Sequence, residues 1–105
     1  MTTQSLYLLE KVTTEQDSGW HSVTADGGEI FFAVPDESDD VSFSLQFRNA
    51  LPDSTTTVMT HAAGFSRFIG KSVKARKGEF FRIVMISEPA DGKYFSIYAH
   101  GDIQP

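Results

Sequence analysis

The sequence predicts an all-β protein folded as one antiparallel sandwich. Short runs of β-branched and aromatic residues are separated by turn residues about every 8–12 positions, and no window shows helical periodicity. The 105 residues suffice for a single domain over positions 1–105, without a linker or repeat. We expect a jelly-roll or immunoglobulin-like sandwich, with a small OB-type barrel as the alternative. The connectivity of the strands is not predicted.

The clearest strand covers residues 41–48. Val41, Phe43, Leu45 and Phe47 alternate strictly with polar residues, which places all four on one face of an extended chain. A helix would distribute the same residues around its circumference. This run therefore predicts a half-buried strand.

The remaining predicted strands are short, apolar or β-branched, and bounded by turn residues. They cover residues 5–12, 20–24, 29–34, 55–60, 71–75, 79–87 and 93–100. Pro35 ends the third of these because proline cannot donate to a ladder. The step from Leu8 to Leu9 interrupts the alternation of the first. Residues 49–54 are predicted to form a loop, residues 62–68 to allow one helical turn, and residues 101–105 to form a tail.

Composition and charge exclude several classes of function. The absence of cysteine excludes disulfides, thiolate metal sites and cysteine nucleophiles. A net charge of −5 makes nucleic-acid binding unlikely, because phosphates are repelled on average. The N-terminus lacks the basic start and apolar stretch of a signal peptide, and no run is long enough to cross a membrane. We therefore expect a cytoplasmic protein, or one that is made there and resides in a virion.

No motif for catalysis or for a cofactor is present. The three histidines, His21, His61 and His100, lie far apart in sequence, without the close pairing typical of zinc sites. No serine lies in a G-x-S-x-G turn. We predict that the protein is not an enzyme and needs no cofactor.

Two charged stretches are candidate sites. An acidic loop offers oxygen ligands for calcium, although it lacks the order of an EF-hand; its carboxylates are Asp36, Glu37, Asp39 and Asp40. A basic cluster lies beside Phe65 and Phe68, and the cluster could contact single-stranded nucleic acid or an acidic protein. Its members are Arg67, Lys71, Lys74, Arg76 and Lys77.

An aromatic row is the strongest candidate for ligand or partner binding. Alternation in residues 93–100 places Tyr94, Tyr98 and His100 on one face, where they could stack on sugar rings or pack in a protein interface. Trp20, the single tryptophan, is expected in the core, with a role as ligand anchor as the alternative.

The strand at residues 79–87 suggests self-association. Its second face carries Phe80, Arg82, Val84 and Ile86, so that both faces are largely apolar. Because an antiparallel sandwich strand normally has one wet face, we expect a second subunit to cover it. This predicts a homo-oligomer, with a trimer favoured.

These observations leave two expected functions. The first is a non-enzymatic, self-associating structural module that decorates or forms part of a larger particle. In its length, lack of cysteine and serine- and threonine-rich strands, the chain is similar to small phage virion proteins such as capsid decoration or fibre domains. The second is a carbohydrate-binding sandwich that uses an exposed aromatic face.

Overall fold

The computed structural model describes residues 3–26, 28–49, 51–64 and 66–104. These ranges contain strands and one short 3-10 helix at Pro52–Ser54. The strands are β1 (Gln4–Val12), β2 (His21–Val23), β3 (Glu29–Ala33), β4 (Phe43–Arg48), β5 (Thr56–His61), β6 (Gly70–Lys74), β7 (Phe80–Met85), β8 (Phe95–Gly101) and β9 (Ile103–Gln104). None of the helical structure in this part of the chain is long and apolar enough to cross a membrane.

The strands form two sheets with jelly-roll connectivity. One sheet has the order β1–β8–β3–β6 and the other the order β5–β4–β7–β2–β9, and every strand pair is antiparallel. Strand β1 pairs with β8, β2 with β7, β3 with β6 and β4 with β5. This is a long eight-stranded hairpin rolled into two layers, as in a jelly roll. The predicted sandwich is confirmed, and the barrel alternative is wrong because the two sheets remain separate.

Each predicted strand has a counterpart in the structure, with ends that differ by up to two residues. The interruption at Leu8 and Leu9 marks a shift of the β1–β8 register between Tyr7 and Leu9. Both leucines are buried. A bulge of this kind lets two consecutive side chains point toward the core. The interrupted alternation in the sequence therefore indicates the irregularity in β1.

Two predictions about the chain ends and loops were wrong. The predicted tail contains β9, in which Ile103 is almost fully buried and pairs with Val23 of β2. A strand of two residues is too short to show an alternation, so β9 has no strand signal in the sequence. The helical turn predicted for residues 62–68 is absent from the described positions 62–64 and 66–68.

The core between the sheets is built on phenylalanine. Phe32, Phe43, Phe81 and Phe95 are among the largest fully buried side chains. The Phe32 ring meets the Phe81 ring edge-on at a centroid distance of 5.4 Å, and the Phe43 and Phe95 rings lie 5.5 Å apart. Tilted and edge-on aromatic pairs add to the free energy gained by burying the rings.

His21 lies at one edge of this core. It is paired with Phe81 across β2 and β7, and its ring stacks on the Phe81 ring at 5.7 Å. Both ring nitrogens are shielded from solvent and have no hydrogen-bond partner. A polar group buried without a partner lowers stability.

We expect His21→Phe to raise the free energy of unfolding by about 1 kcal/mol, because the phenyl ring keeps the stack and removes two unpartnered nitrogens. Urea unfolding measures the change. His21→Asn is the matched control, since it keeps polarity and loses the ring, and it should lower stability. A less stable His21→Phe protein would show that the imidazole nitrogens are satisfied in solution.

Candidate functional site

The outer face of the four-stranded sheet carries an exposed aromatic patch, which we call the tyrosine face. The strand register places its side chains in two cross-strand rows. One row is Tyr7, Tyr98, Ala33 and Gly70, and the other is Ser5, His100, Phe31 and Ser72. The alternate residues of these strands, such as Phe32 and Ile97, are buried in the core.

Tyr7 and Phe31 are the large side chains of this face that are exposed to solvent. Tyr7 is 45% exposed and Phe31 40% exposed. The Tyr7 and Tyr98 rings meet edge-on at 5.8 Å beside a shallow depression of about 270 Å³. The Phe31 ring lies over Gly70, where an added Cβ would approach the ring within 2.6 Å. Glycine at position 70 thus allows the Phe31 ring to lie flat against the sheet.

Ser5 and His100 form a hydrogen bond on the same face, with Ser5 Oγ 2.6 Å from His100 Nδ1. A serine and a histidine are two parts of a nucleophilic site, which also needs a group that orients the histidine. Within the described ranges, no carboxylate is bonded to His100. The pair is a polar element at the rim of the tyrosine face.

The outer face of the five-stranded sheet differs in chemistry, and we call it the arginine face. Trp20 precedes β2, and both the Arg48 and the Arg82 guanidinium groups lie 4.5 Å from its ring centroid. The Arg48 guanidinium is also 5.3 Å from the Phe80 ring. The expectation of Trp20 in the core was wrong, because the register puts it on the outer face, where it is half-buried.

The two arginines have few other partners. Arg82 Nε donates to Gln46 Oε1 at 2.9 Å, and an Arg82 terminal nitrogen lies 3.9 Å from an Asp17 carboxylate oxygen. Arg48 Nε is shielded from solvent without a partner. Both guanidinium groups thus contact the same indole ring. Among the described residues, the carboxylate that approaches them is that of Asp17, at 3.9 Å from Arg82.

Trp20 also changes the interpretation of β7. Phe81, Ile83 and Met85 point into the core, while Phe80, Arg82 and Val84 are half-buried on the outer face and Ile86 is 49% exposed. The indole over Arg82 comes from the same chain. The cover near Phe80 and Arg82 therefore comes from the same chain, whereas Ile86 stays exposed. The homo-oligomer remains a prediction.

The aromatic row predicted from residues 93–100 is divided in the structure. Tyr98 and His100 lie in β8 on the tyrosine face. Tyr94 precedes β8, and its ring lies 5.8 Å from the Lys11 ammonium. Trp20 belongs to the other sheet. These four residues do not form one platform.

The acidic loop is held by hydrogen bonds to neighbouring loops. Asp39 accepts from the Ala90 backbone N–H, and Asp40 accepts from the Gly64 N–H and bonds to His61 Nε2 at 2.8 Å. Glu37 is exposed beside them. In the described part of the chain, no three acidic or histidine side chains gather to hold a metal ion. The candidate carboxylates therefore do not form a calcium site here.

Asp36 takes part in the loop only through its backbone carbonyl. One Arg67 guanidinium nitrogen donates to the carbonyl oxygens of Pro35 and Asp36, at 2.6 and 2.7 Å. Burial raises the pKa of Asp40, but the hydrogen bonds from His61 and Gly64 and the charges of His61 and Arg67 hold it below its ordinary value of 3.8. This carboxylate is ionised at neutral pH and fixes the loop.

The basic cluster does not form one surface. Lys71 and Lys74 lie three positions apart in β6, so they point to opposite sides of the sheet. Arg67 is bound to the acidic loop. Arg76 and Lys77 lie in the turn before β7. Phe65 lies outside the described residues, and Phe68 packs against Phe43 at 5.1 Å, away from any basic strip.

Sequence reasoning missed Tyr7, Phe31 and Arg48. Tyr7 alternates with the partly buried Leu6, and Arg48 ends the clear alternation of residues 41–48. The alternation at Tyr7 and at Arg48 is visible in the sequence. The strand pairing that brings Tyr7 beside Tyr98, and Arg48 and Arg82 to the same indole, is not visible. No family model, no curated protein and no solved structure matches this chain.

Proposed function

We propose that this protein is a non-enzymatic assembly module that associates with a second copy of itself through the tyrosine face. The aromatic patch that carries this proposal spans three neighbouring strands: Tyr7 of the edge strand β1 and Phe31 of β3 are exposed, and Tyr98 of β8 is half-buried between these strands. Tyrosine and phenylalanine are enriched at protein interfaces, where large rings bury area at low cost in conformational entropy.

The rim of the face is self-complementary. Glu29 and Lys74 are directly paired across β3 and β6, at the edge of the aromatic patch. A two-fold axis that passes close to this pair would bring Glu29 of one copy near Lys74 of the other, because an isologous interface presents the same patch twice. Ser5 and His100 add polar groups to this rim. An aromatic centre with a polar rim is the usual anatomy of an interface.

The assembly that we propose belongs to a larger particle, such as a phage virion. Jelly rolls occur as building blocks of viral capsids, as well as in lectin and cupin domains. The trimer expected from the sequence would use the tyrosine face in a head-to-tail contact, and a two-fold contact would give a dimer. The measured mass distinguishes the two.

Light scattering coupled to size exclusion, over a range of protein concentrations, tests the proposal. We expect the wild-type protein to form a defined oligomer and Tyr7→Ser with Phe31→Ser to weaken it at least about tenfold. Val58→Ser is the matched control, because Val58 is as exposed as Phe31 but lies on β5. A monomeric wild type, or an equal effect of the control, would contradict the proposal.

A further inference from the structure

We propose that the arginine face binds an acidic saccharide, whose carboxylate is held by Arg48 and Arg82 beside Trp20. This inference concerns the opposite side of the molecule from the proposed interface and does not depend on it. The two guanidinium groups, each 4.5 Å from the same indole, are the juxtaposition that carries it.

Within the described residues, one long ion pair is the carboxylate contact of these two guanidinium groups. The nearest contact to an acid is the 3.9 Å approach of Asp17 to Arg82, and among described residues Arg48 has no carboxylate partner. Contact with an indole orients a guanidinium group without cancelling its charge. Two guanidinium groups that contact one indole raise the local positive charge and attract an anion, and the fork of arginine fits a carboxylate with two parallel hydrogen bonds.

The surroundings of the pair favour a sugar over a peptide. The rest of this face consists mainly of neutral hydroxyl and amide groups, which can both donate and accept hydrogen bonds. They are Ser22, Ser44, Gln46, Thr57, Thr60 and Gln104. On this face Phe80 and Val84 are half-buried and Ile86 is exposed just beyond β7. A protein partner would favour a centre of exposed aromatic rings, which the tyrosine face offers.

These polar groups already form short networks across the strands. Gln46 accepts from Arg82 and approaches the Thr57 hydroxyl at 3.5 Å, and the Ser44 and Thr60 hydroxyls are 3.1 Å apart. Gln46 thereby fixes the Arg82 side chain at its Nε, while one terminal nitrogen makes the 3.9 Å contact with Asp17. A ligand carboxylate would bind the terminal nitrogens in place of that long contact. A saccharide lying along β4 and β7 would meet the guanidinium pair and the hydroxyl groups together.

A singly charged carboxylate also suits the whole molecule better than a phosphate chain. The protein carries a net charge of −5, which repels polyanions on approach. The local pair can attract one carboxylate at short range, since solution ions screen the remaining charges beyond about 8–10 Å.

The single tryptophan makes the test specific. Trp20 fluorescence reports on this site alone, because the chain has no other tryptophan. The probes are galacturonate with its methyl ester, and sialyllactose with lactose. We expect at least one of the acids to change the fluorescence and release heat in calorimetry, and its neutral counterpart to bind at least tenfold more weakly.

Arg48→Gln and Arg82→Gln should each weaken binding of the acid about tenfold or more. Lys93→Gln removes the same charge from an exposed loop position and should change the affinity less than twofold. Arg82→Lys keeps the positive charge but removes the two parallel hydrogen bonds of a guanidinium group. We therefore expect an affinity for the acid between that of wild type and that of Arg82→Gln. Circular dichroism checks that each variant is folded.

Several results would overturn the inference. One is the absence of both heat and a fluorescence change with both acids. Equal binding of the neutral sugars would remove the role of the carboxylate, and equal binding of oligoglutamate would assign the face to a protein partner. Tyr7→Ser serves as a further control: it should leave saccharide binding unchanged, which separates this inference from the proposed assembly.

Discussion

Replacing Phe81 by alanine is expected to lower the free energy of unfolding by about 3–5 kcal/mol, the usual cost of removing a fully buried phenyl ring. Phe81 is 0% exposed and pairs with Phe47 of β4 and with His21 of β2. Its ring contacts the Phe32, Phe47 and His21 rings at centroid distances of 5.4, 5.7 and 5.7 Å. The truncation therefore leaves a cavity where both sheets meet and also removes three aromatic pairs.

Phe31→Ala is the matched control, since it removes the same ring from a side chain that is 40% exposed. We expect a loss of about 1 kcal/mol or less, because a surface position leaves no cavity. Urea unfolding of both variants at one protein concentration, below that at which the chain associates, measures the difference. Similar losses for the two variants would show that Phe81 is not the centre of the core.

The fold could be predicted because local patterns determine the strands. Alternation in residues 41–48 and the turn residues that bound each run gave nearly all of the strand positions. Two features lay outside such reasoning. β9 is too short to show a period, and the pairing of β1 with β8 joins the ends of the chain, which no local pattern reveals.

The site could be predicted only in part, for the same reason. Alternation correctly placed Tyr98 and His100 on one face, but their neighbours Tyr7 and Phe31 come from β1 and β3. Spacing within one segment also misjudged Trp20, because the residue lies just before a strand and its surroundings are set by Arg48 and Arg82 on other strands. A site made by cross-strand neighbours requires the connectivity.

The two outer faces have separate chemistries. The tyrosine face has large, exposed rings and a self-complementary rim, whereas the arginine face has hydroxyl and amide groups around a guanidinium pair. Because opposite faces of a sandwich do not touch, each can bind its own partner without competition. An assembly module of this kind would present the arginine face outward while the tyrosine face is buried between subunits.

Replacing Asp40 by asparagine should destabilise the protein in a manner that depends on pH. Asp40 bonds to His61 Nε2 at 2.8 Å and accepts from the Gly64 N–H at 3.0 Å. At neutral pH we expect a loss of about 1–2 kcal/mol, at the lower end for charged hydrogen bonds because the side chain is 31% exposed.

The direction of the pH dependence follows from the lowered pKa of Asp40 in the folded protein. Burial raises the pKa of Asp40, but the bonds from His61 and Gly64 and the charges of His61 and Arg67 hold it below 3.8 in the folded protein. A carboxylate with a lowered pKa stabilises the fold at pH values above its unfolded pKa. That contribution disappears as the pH falls through the folded pKa. The difference between wild type and Asp40→Asn should thus be constant above about pH 5 and shrink below about pH 4.

Thermal unfolding from pH 3 to pH 7 measures this difference, with Asp91→Asn as the control from the neighbouring exposed turn. The control should differ little from wild type at any pH in this range, since Asp91 is exposed in its turn. A gap between wild type and Asp40→Asn that stays the same at pH 3 and pH 7 would mean that the Asp40 charge does not hold the loop. In that case the loop would be held by its backbone bonds, and the pair of Asp40 and His61 would contribute only through neutral hydrogen bonding.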